Sequence, residues 1–257
     1  MALLEVRKMT KFFSGLTAVM ELTMDVHRKQ IFGLIGPNGA GKSTALNMIG
    51  GTLLPSQGQV IFDGEKITKL PSHRRTQRGI ARIFQENLLF RSFTVLENVL
   101  VGCQLQREIG LSSIFLNTGS NRTQEEARQR RAFNTLKFVG LAQYANELAI
   151  NLPHGRQRLL ALAIALATQP ELLLLDEPLT GMNVEEIETM LAMITALREQ
   201  KGITCIIIEH NLRAVMGLCD RIAVLNFGKK IAEGAPGEIV ENQAVMEAYL
   251  GTEENVA

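Results

Sequence analysis

The segment from Gly36 to Thr44 combines the residue types and the spacing that bind phosphate. Its sequence, GPNGAGKST, fits the pattern G-x-x-x-x-G-K-[ST] in full, follows the apolar run IFGLI and opens a helical pattern. Glycines allow backbone N–H groups to converge on phosphate oxygens without Cβ clashes. We expect Lys42 to reach the β- and γ-phosphates and Ser43 to offer its hydroxyl to Mg²⁺. The strand–loop–helix context disfavours the alternative of a chance glycine-rich turn. The predicted phosphate-binding residues are Gly36, Pro37, Asn38, Gly39, Ala40, Gly41, Lys42, Ser43 and Thr44.

A second segment, LLLLDEP, supplies carboxylates at the end of a predicted buried strand. Asp176 follows four leucines, and the carboxyl ends of strands are where α/β sheets place ligands. We expect Asp176 to hold Mg²⁺ through water and Glu177 to act as the general base that polarises the attacking water. Asp-Glu after a strand is often only a helix start. The preceding phosphate loop makes the catalytic interpretation the better one.

Two further polar residues end predicted strands. Gln85 follows IARIF, and we expect it to contact the metal and the nucleotide water. His210 follows CIIIE, and we expect it to contact the γ-phosphate. Each signal is weak alone and gains its weight from its position beside Asp176. By contrast, His27 and His73 lack such a context and are predicted to be solvated surface residues. The predicted metal-binding residues are therefore Ser43, Gln85 and Asp176.

Length and composition limit the classes of protein. The 257 residues suffice for one large α/β domain, with or without an inserted subdomain, and 46% hydrophobic residues supply a core. A net charge of +1 disfavours a nucleic-acid partner. The three cysteines lack a Cys-x-x-Cys spacing and are predicted to be reduced, partly buried thiols. No signal peptide is recognised, and the longest apolar run is too short to cross a bilayer, so any membrane role would depend on other chains.

Short apolar strands alternate with helices along the chain, which predicts a largely parallel sheet covered on both faces. The segment RIAVLNFGKKIAEG predicts an antiparallel hairpin at the edge, with its turn at Phe227 and Gly228. We therefore predict an α/β fold, which together with the phosphate loop resembles the P-loop NTPase (RecA-like) type. The ATP-binding core is assigned to residues 1–85 and 159–234, an inserted α-helical subdomain to 86–158, and a C-terminal helical extension to 235–257.

Taken together, the motifs resemble those of ATP-binding cassette (ABC) ATPases. The matching segments occur in the expected order over almost the whole chain: Gly36–Thr44, Gln85, Leu152–Arg158, Asp176–Glu177, Thr180–Asn183 and His210. The resemblance implies ATP and Mg²⁺ as cofactors. It also implies that Phe13 stacks on adenine, with neighbouring Phe12 as the less favoured candidate.

The C-terminal segment and the irregular insert after Gly102 are similar to those of ATPases in high-affinity branched-chain amino acid importers. This resemblance implies a peripheral subunit on the cytoplasmic face of the inner membrane. It would contact two transmembrane permease subunits from about Glu86 to Val101, and pair with a second, related ATPase or a second copy of itself. A substrate-binding protein would deliver the substrate. The alternatives are another ABC system (urea or amide import, lipid or lipopolysaccharide export), a soluble ABC ATPase and a non-hydrolysing regulatory protein.

The signature loop of the family, usually Leu-Ser-Gly-Gly-Gln, departs from that sequence here. The aligned residues, expected to contact the nucleotide held by a partner, are Leu152, Pro153, His154, Gly155 and Arg156. Pro153 lacks both a hydroxyl and an N–H donor, although it suits the start of a helix. Arg156 offers charge-assisted hydrogen bonds in compensation. The alternative for Arg156 and Arg158 is a solvated basic face. A missing donor can cost about 2.7–4 kcal/mol, so we predict two unequal ATP sites in the assembled dimer. In the following loop, Asn183 stands where Asp is common and retains the capacity to hydrogen-bond across a dimer.

Overall fold

The structure of the protein is a computed structural model that describes residues 1–84, 89–104 and 120–250. The strands are β1 (Ala2–Phe13), β2 (Leu16–His27), β3 (Ile31–Ile35), β4 (Gln57–Phe62), β5 (Glu65–Lys66), β6 (Ile80–Ile83), β7 (Leu172–Asp176), β8 (Thr204–Ile208), β9 (Arg221–Asn226) and β10 (Lys229–Gly234). The helices are α1 (Lys42–Gly50), α2 (Ser72–Gln77), α3 (Val95–Gln104), α4 (Ser120–Phe138), α5 (His154–Ala167), α6 (Val184–Lys201), α7 (Leu212–Leu218), α8 (Pro236–Val240) and α9 (Gln243–Leu250). Two 3₁₀ turns, Ala142–Tyr144 and Ala149–Asn151, precede α5.

A six-stranded sheet of order β10-β9-β3-β8-β7-β6 forms the centre of the molecule. Strands β9, β3, β8, β7 and β6 are parallel, and only β10 runs antiparallel to its neighbour. Every residue of β3, β7 and β8 is buried, because helices cover both faces of the sheet. This confirms the predicted α/β class, and the β9–β10 hairpin turns at Phe227 and Gly228 as expected. Parallel alignment brings the carboxyl ends of β3, β6, β7 and β8 to one edge.

A second sheet, of order β2-β1-β4-β5, is antiparallel. The sequence analysis did not predict the twelve-residue strand β2 of this sheet. Several register irregularities interrupt the pairing of β1 with β2, and Lys8 and Glu21 adopt positive φ angles of 45° and 46°. These irregularities break the alternation by which such a strand is recognised.

Helices α3, α4 and α5 share an apolar cluster of their own. Val99, Leu136 and Leu160 are fully buried in it, and the backbone of α3 at Gly102 lies so close to α5 that a Cβ there would collide with the carbonyl of Ile164. This clustering supports the proposed helical subdomain. Residues 85–88 lie outside the described residues, and with them lies the proposed boundary at 85/86.

A buried arginine on α2 fixes the end of α1. Arg75 is 0% exposed, and its guanidinium donates to the carbonyls of Met48 and Ile49 at 2.7 and 2.6 Å and to those of Thr68 and Leu70 at 2.9 Å. Burial lowers the pKa of Arg75 to about 10. A cation at the carbonyl end of a helix is stabilised by the helix dipole. Because α1 begins at Lys42, this contact also steadies the helix that follows the phosphate loop.

Candidate active site

The predicted phosphate loop connects β3 to α1 in a conformation that requires glycine at two positions. Gly36 and Gly41 have φ angles of 147° and 98°. A Cβ at Gly36 would collide with the carbonyl of Leu225, and one at Gly41 with the carbonyl of Ala18. Backbone carbonyls of neighbouring segments therefore pack against the loop, and a side chain at Gly36 or Gly41 would displace the loop.

The Lys42 ammonium is held inside this loop. The residue is 5% exposed, and its Nζ donates to the carbonyls of Gly36 and Pro37 at 2.8 and 2.9 Å. Burial lowers the pKa of Lys42, whereas the nearby carboxylates of Glu177 and Asp176 raise it. The ammonium thus lies near both predicted carboxylates, as a phosphate-binding cation beside a metal site must.

Asp176 forms a buried ion pair that the sequence did not predict. Its Oδ2 accepts from Arg82 Nη2 at 2.8 Å, and the two side chains are only 7% and 10% exposed. Arg82 also donates to Asn47 Oδ1 at 2.6 Å, and its guanidinium carbon lies 4.6 Å from the centroid of the Phe84 ring. The pair fixes the orientation of the carboxylate predicted to bind the metal. The only signal in the sequence was a charged residue inside the apolar strand IARIF.

Glu177 and His210 meet where β7 and β8 end. Glu177 Oε1 lies 2.5 Å from His210 Nε2, and the backbone N–H of Glu177 donates to the Ile208 carbonyl at 2.9 Å. Glu177 has a φ of 50°, which is costly for a residue other than glycine and typical of functional sites. The predicted base and the predicted γ-phosphate contact are therefore joined directly, with the carboxylate 13% and the imidazole 45% exposed.

Lys42, Glu177 and His210 line one cavity of about 380 Å³, whereas Asp176 is not among its lining residues. Its lining residues are Leu16, Thr17, Ala18, Asn38, Gly39, Ala40, Gly41, Lys42, Ser43, Thr44, Glu177, His210, Phe227 and Gly228. Leu16, the first residue of β2, and Phe227, in the β9–β10 turn, were missed, since a single exposed apolar residue carries no distinctive pattern. Phe13 is not among the lining residues: it is 43% exposed, with Lys11 Nζ 5.2 Å from its ring centroid. Its stacking on adenine stays a prediction, and Gln85 lies outside the described residues.

Three of the five predicted signature residues line a different cavity, while Leu152 is buried and the His154 ring lies next to Gly181. Pro153 caps α5 with φ −55° and ψ 154°, and it lines a cavity of about 390 Å³ together with Gly155, Arg156, Met182 and Asn183. Gly155 lies so close to α6 that a Cβ there would collide with the Glu186 carboxylate. The Arg156 guanidinium carbon lies 4.4 Å from the centroid of the Tyr144 ring. The chain therefore does not bring its signature loop to its own phosphate loop.

Arg158 and Asn183 have local partners. The solvated interpretation of Arg158 is wrong: the residue is 5% exposed because α5 packs it against the end of β6, where Nη1 donates to the Phe84 carbonyl at 3.4 Å. Burial lowers the pKa of Arg158, while Glu209 and Glu177 raise it.

Asn183 Oδ1 accepts from the Glu186 N–H at 2.9 Å and caps α6. The two histidines predicted to be on the surface, His27 and His73, are exposed.

A buried carboxylate also joins the loops beyond β7 and β8. Glu209 is 4% exposed, and it accepts from the backbone N–H groups of Leu179 at 2.7 Å and His210 at 3.2 Å. Burial raises the pKa of Glu209, and these two hydrogen bonds oppose that shift. The contact ties the segment after Glu177 to the segment that carries His210.

The donor set of the cavity fits a nucleoside triphosphate with a divalent cation. At Gly39 a Cβ would meet no atom within 4 Å, so the loop leaves open space in the cavity for phosphate oxygens. Within the described ranges, no group of three or more His, Cys, Asp and Glu side chains is placed to hold a metal. Ser43 and Asp176 carry oxygen atoms of the kind that a divalent cation prefers, and they would hold one together with phosphate and water.

Comparison with known proteins places these features in context. Residues 19–180 match the family described as ABC transporter, and residues 229–255 match the family described as branched-chain amino acid ATP-binding cassette transporter. The chain is 40% identical to the "High-affinity branched-chain amino acid transport ATP-binding protein LivG" of Escherichia coli (strain K12), with 97% of this chain and 98% of that protein covered.

Two solved structures have the same fold. One is the ADP conformation of an ATP-binding cassette of an ABC transporter, with a TM-score of 0.84, 30% identity, and 98% and 99% of the chains covered. The other is a dimeric post-hydrolysis state of an ATP-binding cassette bound to ADP and Pi, with a TM-score of 0.76, 26% identity, and 91% and 98% covered. Among the helices of the described segments, none combines the length and the apolar character needed to cross a membrane.

Proposed function

This chain belongs to the ABC transporter family, and we propose that it hydrolyses ATP to drive the import of branched-chain amino acids. The observation that carries the substrate class is the match of residues 229–255 to the branched-chain amino acid family. It lies outside the ATPase motifs common to all cassettes, so it distinguishes among transport systems. The 40% identity to an amino acid transport subunit over nearly the whole length supports the same assignment. The "Lipopolysaccharide export system ATP-binding protein LptB" of Haemophilus influenzae is less similar to this chain, with 31% identity over 98% of it.

The geometry supports hydrolysis by a water molecule that Glu177 activates. The Glu177 carboxylate takes a proton from the water as its oxygen attacks the γ-phosphorus and the bond to the bridging oxygen of ADP breaks. His210 Nε2, 2.5 Å from Glu177 Oε1, orients that carboxylate, and we expect the imidazole to contact the γ-phosphate. Lys42 and the loop N–H groups stabilise the charge on the phosphates. Mg²⁺, held by Ser43 and by Asp176 through water, would neutralise further charge on the β- and γ-phosphates.

We infer that a second cassette completes each ATP-binding site. Within one chain the phosphate loop and the signature loop line different cavities, which supports a site shared between two chains. The partner is a second, related ATPase or a second copy of this chain. Pro153 contributes neither a hydroxyl nor an N–H to such a site, so the site that it faces is the weaker one. Arg156 is positioned at the start of α5 to supply a compensating cation.

The proposed contact with two permease subunits lies near the start of α3. Of the segment from Glu86 to Val101, residues 89–101 are described. Phe90 and Phe93 stack with ring centroids 5.2 Å apart and are 50% and 40% exposed, which suits burial by another protein. A cavity of about 310 Å³ near the end of β6, lined in part by Phe84 and Ile164, offers a recess for a permease segment. The chain would then lie peripherally on the cytoplasmic face of the inner membrane.

Affinity purification from detergent-solubilised native membranes tests the assignment. We expect two polytopic membrane proteins and a second, related ATPase to co-purify with this chain. Vesicles that contain this assembly should take up leucine when supplied with ATP, and the Glu177→Gln variant should abolish that uptake. Recovery with ribosomes or nucleic-acid proteins and no membrane partner would contradict the transport function. Recovery with membrane partners that export lipid would contradict only the substrate class.

A further inference from the structure

Phe227 stands out as an exposed aromatic residue inside the phosphate-loop cavity. Its exposed fraction is 86%, the largest of any phenylalanine in the described residues, so it contributes almost nothing to the core. Yet it lines the same cavity as Lys42 and Glu177. The proposed hydrolysis mechanism assigns no role to Phe227.

The backbone at Phe227 disfavours the residue that occupies it. Phe227 and Gly228, the two residues of the β9–β10 turn, have φ angles of 44° and 78°. Two-residue hairpin turns with both φ angles positive favour Asn-Gly or Asp-Gly, and a bulky residue with positive φ is a genuine outlier. The turn therefore carries an aromatic residue at a position where Asn would be less strained. Strain of this kind is characteristic of ligand-binding sites.

The turn is anchored to the cavity wall. The Gly228 N–H donates to the Ala40 carbonyl at 3.0 Å, and the Gly228 carbonyl accepts from the Met20 N–H at 2.8 Å. A Cβ at Gly228 would lie 2.9 Å from the carbonyl oxygen of Ala18. The backbone of the turn that carries Phe227 is thus held between the phosphate loop and the start of β2.

We propose that Phe227 packs against the nucleoside half of the bound nucleotide, beside Leu16. Phosphates gain from the N–H groups, hydroxyls and ammonium of residues 38–44, and an aromatic ring offers them nothing. A base or ribose instead gains apolar and stacking contact from such a ring. Leu16 is 69% exposed in the same cavity and precedes Thr17 and Ala18, the two residues whose carbonyls would meet a Cβ at Gly228. This inference rests on the proposed nucleotide binding.

Replacing Phe227 by Asn and by Tyr separates a ligand contact from a structural role. Asn suits a left-handed turn, so Phe227→Asn should fold with an unchanged or raised Tm. We expect the variant to weaken ADP binding about tenfold, which corresponds to 1.4 kcal/mol, and to leave pyrophosphate binding unchanged. Phe227→Tyr should restore ADP affinity because it keeps the ring. Phe133→Ala is the matched control, since that exposed aromatic lies on α4, away from the cavity.

Isothermal titration calorimetry of the full chain gives both affinities. Equal ADP affinity in the wild type and in Phe227→Asn would overturn the proposal, and so would equal loss of ADP and pyrophosphate binding, which would place the effect on the phosphate loop. Reduced self-association with unchanged ADP affinity would overturn it in favour of an interface between two cassettes. Failure of the wild-type chain to bind either ligand would instead remove the proposed nucleotide binding itself.

Discussion

Replacement of Arg82 by Met tests the role assigned to the buried ion pair. The variant removes the only cation in the described residues that pairs directly with Asp176, and it leaves a carboxylate that is 7% exposed without a partner. Breaking a buried pair by removing one member costs about 3–5 kcal/mol. Asn47 Oδ1 also loses a donor at 2.6 Å. We therefore expect the free energy of unfolding to fall by about 3 kcal/mol or more.

The structure offers a matched control on the surface. Arg28 pairs with Asp63 and Glu171 at 2.5 Å each, but its side chain is 50% exposed. Exposed ion pairs contribute about 0–1 kcal/mol because solvent screens them. Arg28→Met should therefore lower the free energy of unfolding by less than about 1 kcal/mol, although it removes two ion pairs rather than one. Comparing the two variants shows whether burial or the number of ion pairs determines the loss in the free energy of unfolding.

Chemical denaturation of the full chain measures both effects. For a chain of this size, about 3 kcal/mol corresponds to a fall in Tm of about 6–12 °C, which thermal denaturation checks independently. A second change, Asp176→Asn, should recover part of the loss in the Arg82→Met background because it removes the unpaired charge. The reasoning is refuted if Arg82→Met destabilises no more than Arg28→Met, or if the second change adds to the loss.

Four further predictions concern other parts of the molecule. Glu177→Gln should lower the rate of phosphate release by about 10²–10⁴, with ADP affinity retained in calorimetry. Pro153→Ser should raise the ATPase rate of the assembled transporter, whereas an unchanged rate would refute the unequal sites. Arg75→Met should lower the free energy of unfolding by about 3 kcal/mol or more, since buried carbonyls lose their donors; denaturation measures this. Burial raises the pKa of Cys205 and Cys219 to about 12, so at pH 8 the thiolate fraction is about 10⁻⁴, and a thiol reagent should modify them only after unfolding.

The sequence predicted the parts of the site that depend on local backbone patterns. The phosphate loop is one continuous segment, and its glycines, lysine and hydroxyl residues identify it without knowledge of the rest of the chain. Asp176, Glu177 and His210 followed from one topological rule, that parallel strands place their carboxyl ends at the same edge. The structure places Glu177 and His210 in contact, although they are 33 residues apart. The rule about parallel strands therefore predicted that these residues lie near one another, although the sequence does not show which of them pair.

Buried charges were the part that sequence reasoning missed. Arg75 and Arg158 resemble ordinary surface residues because charged side chains are solvated unless a partner is known. The partner of Arg82, Asp176, is 94 residues away, and Arg75 reaches back 27 residues to Met48. No local pattern contains such pairings. Strand β2 was missed for a different reason, because its pairing irregularities disturb the two-residue alternation.

The buried arginines provide the positive charge that the buried carboxylates of the site need. Asp176 and Glu209 are 5% and 4% exposed, and carboxylates so deeply buried need nearby cations or hydrogen-bond donors. Arg82 supplies the cation for Asp176, while Arg158 experiences the field of Glu209 and Glu177.

Both arginines also contact Phe84, one through its ring and the other through its carbonyl, so β6 and α5 meet at the residue that precedes Gln85. Since Arg158 lies on α5, any shift of α5 relative to the sheet must change the electrostatic interaction between Arg158 and Glu209. Glu209 in turn holds the N–H groups of Leu179 and His210. The buried charges therefore link the helical part of the chain to the residues proposed for hydrolysis.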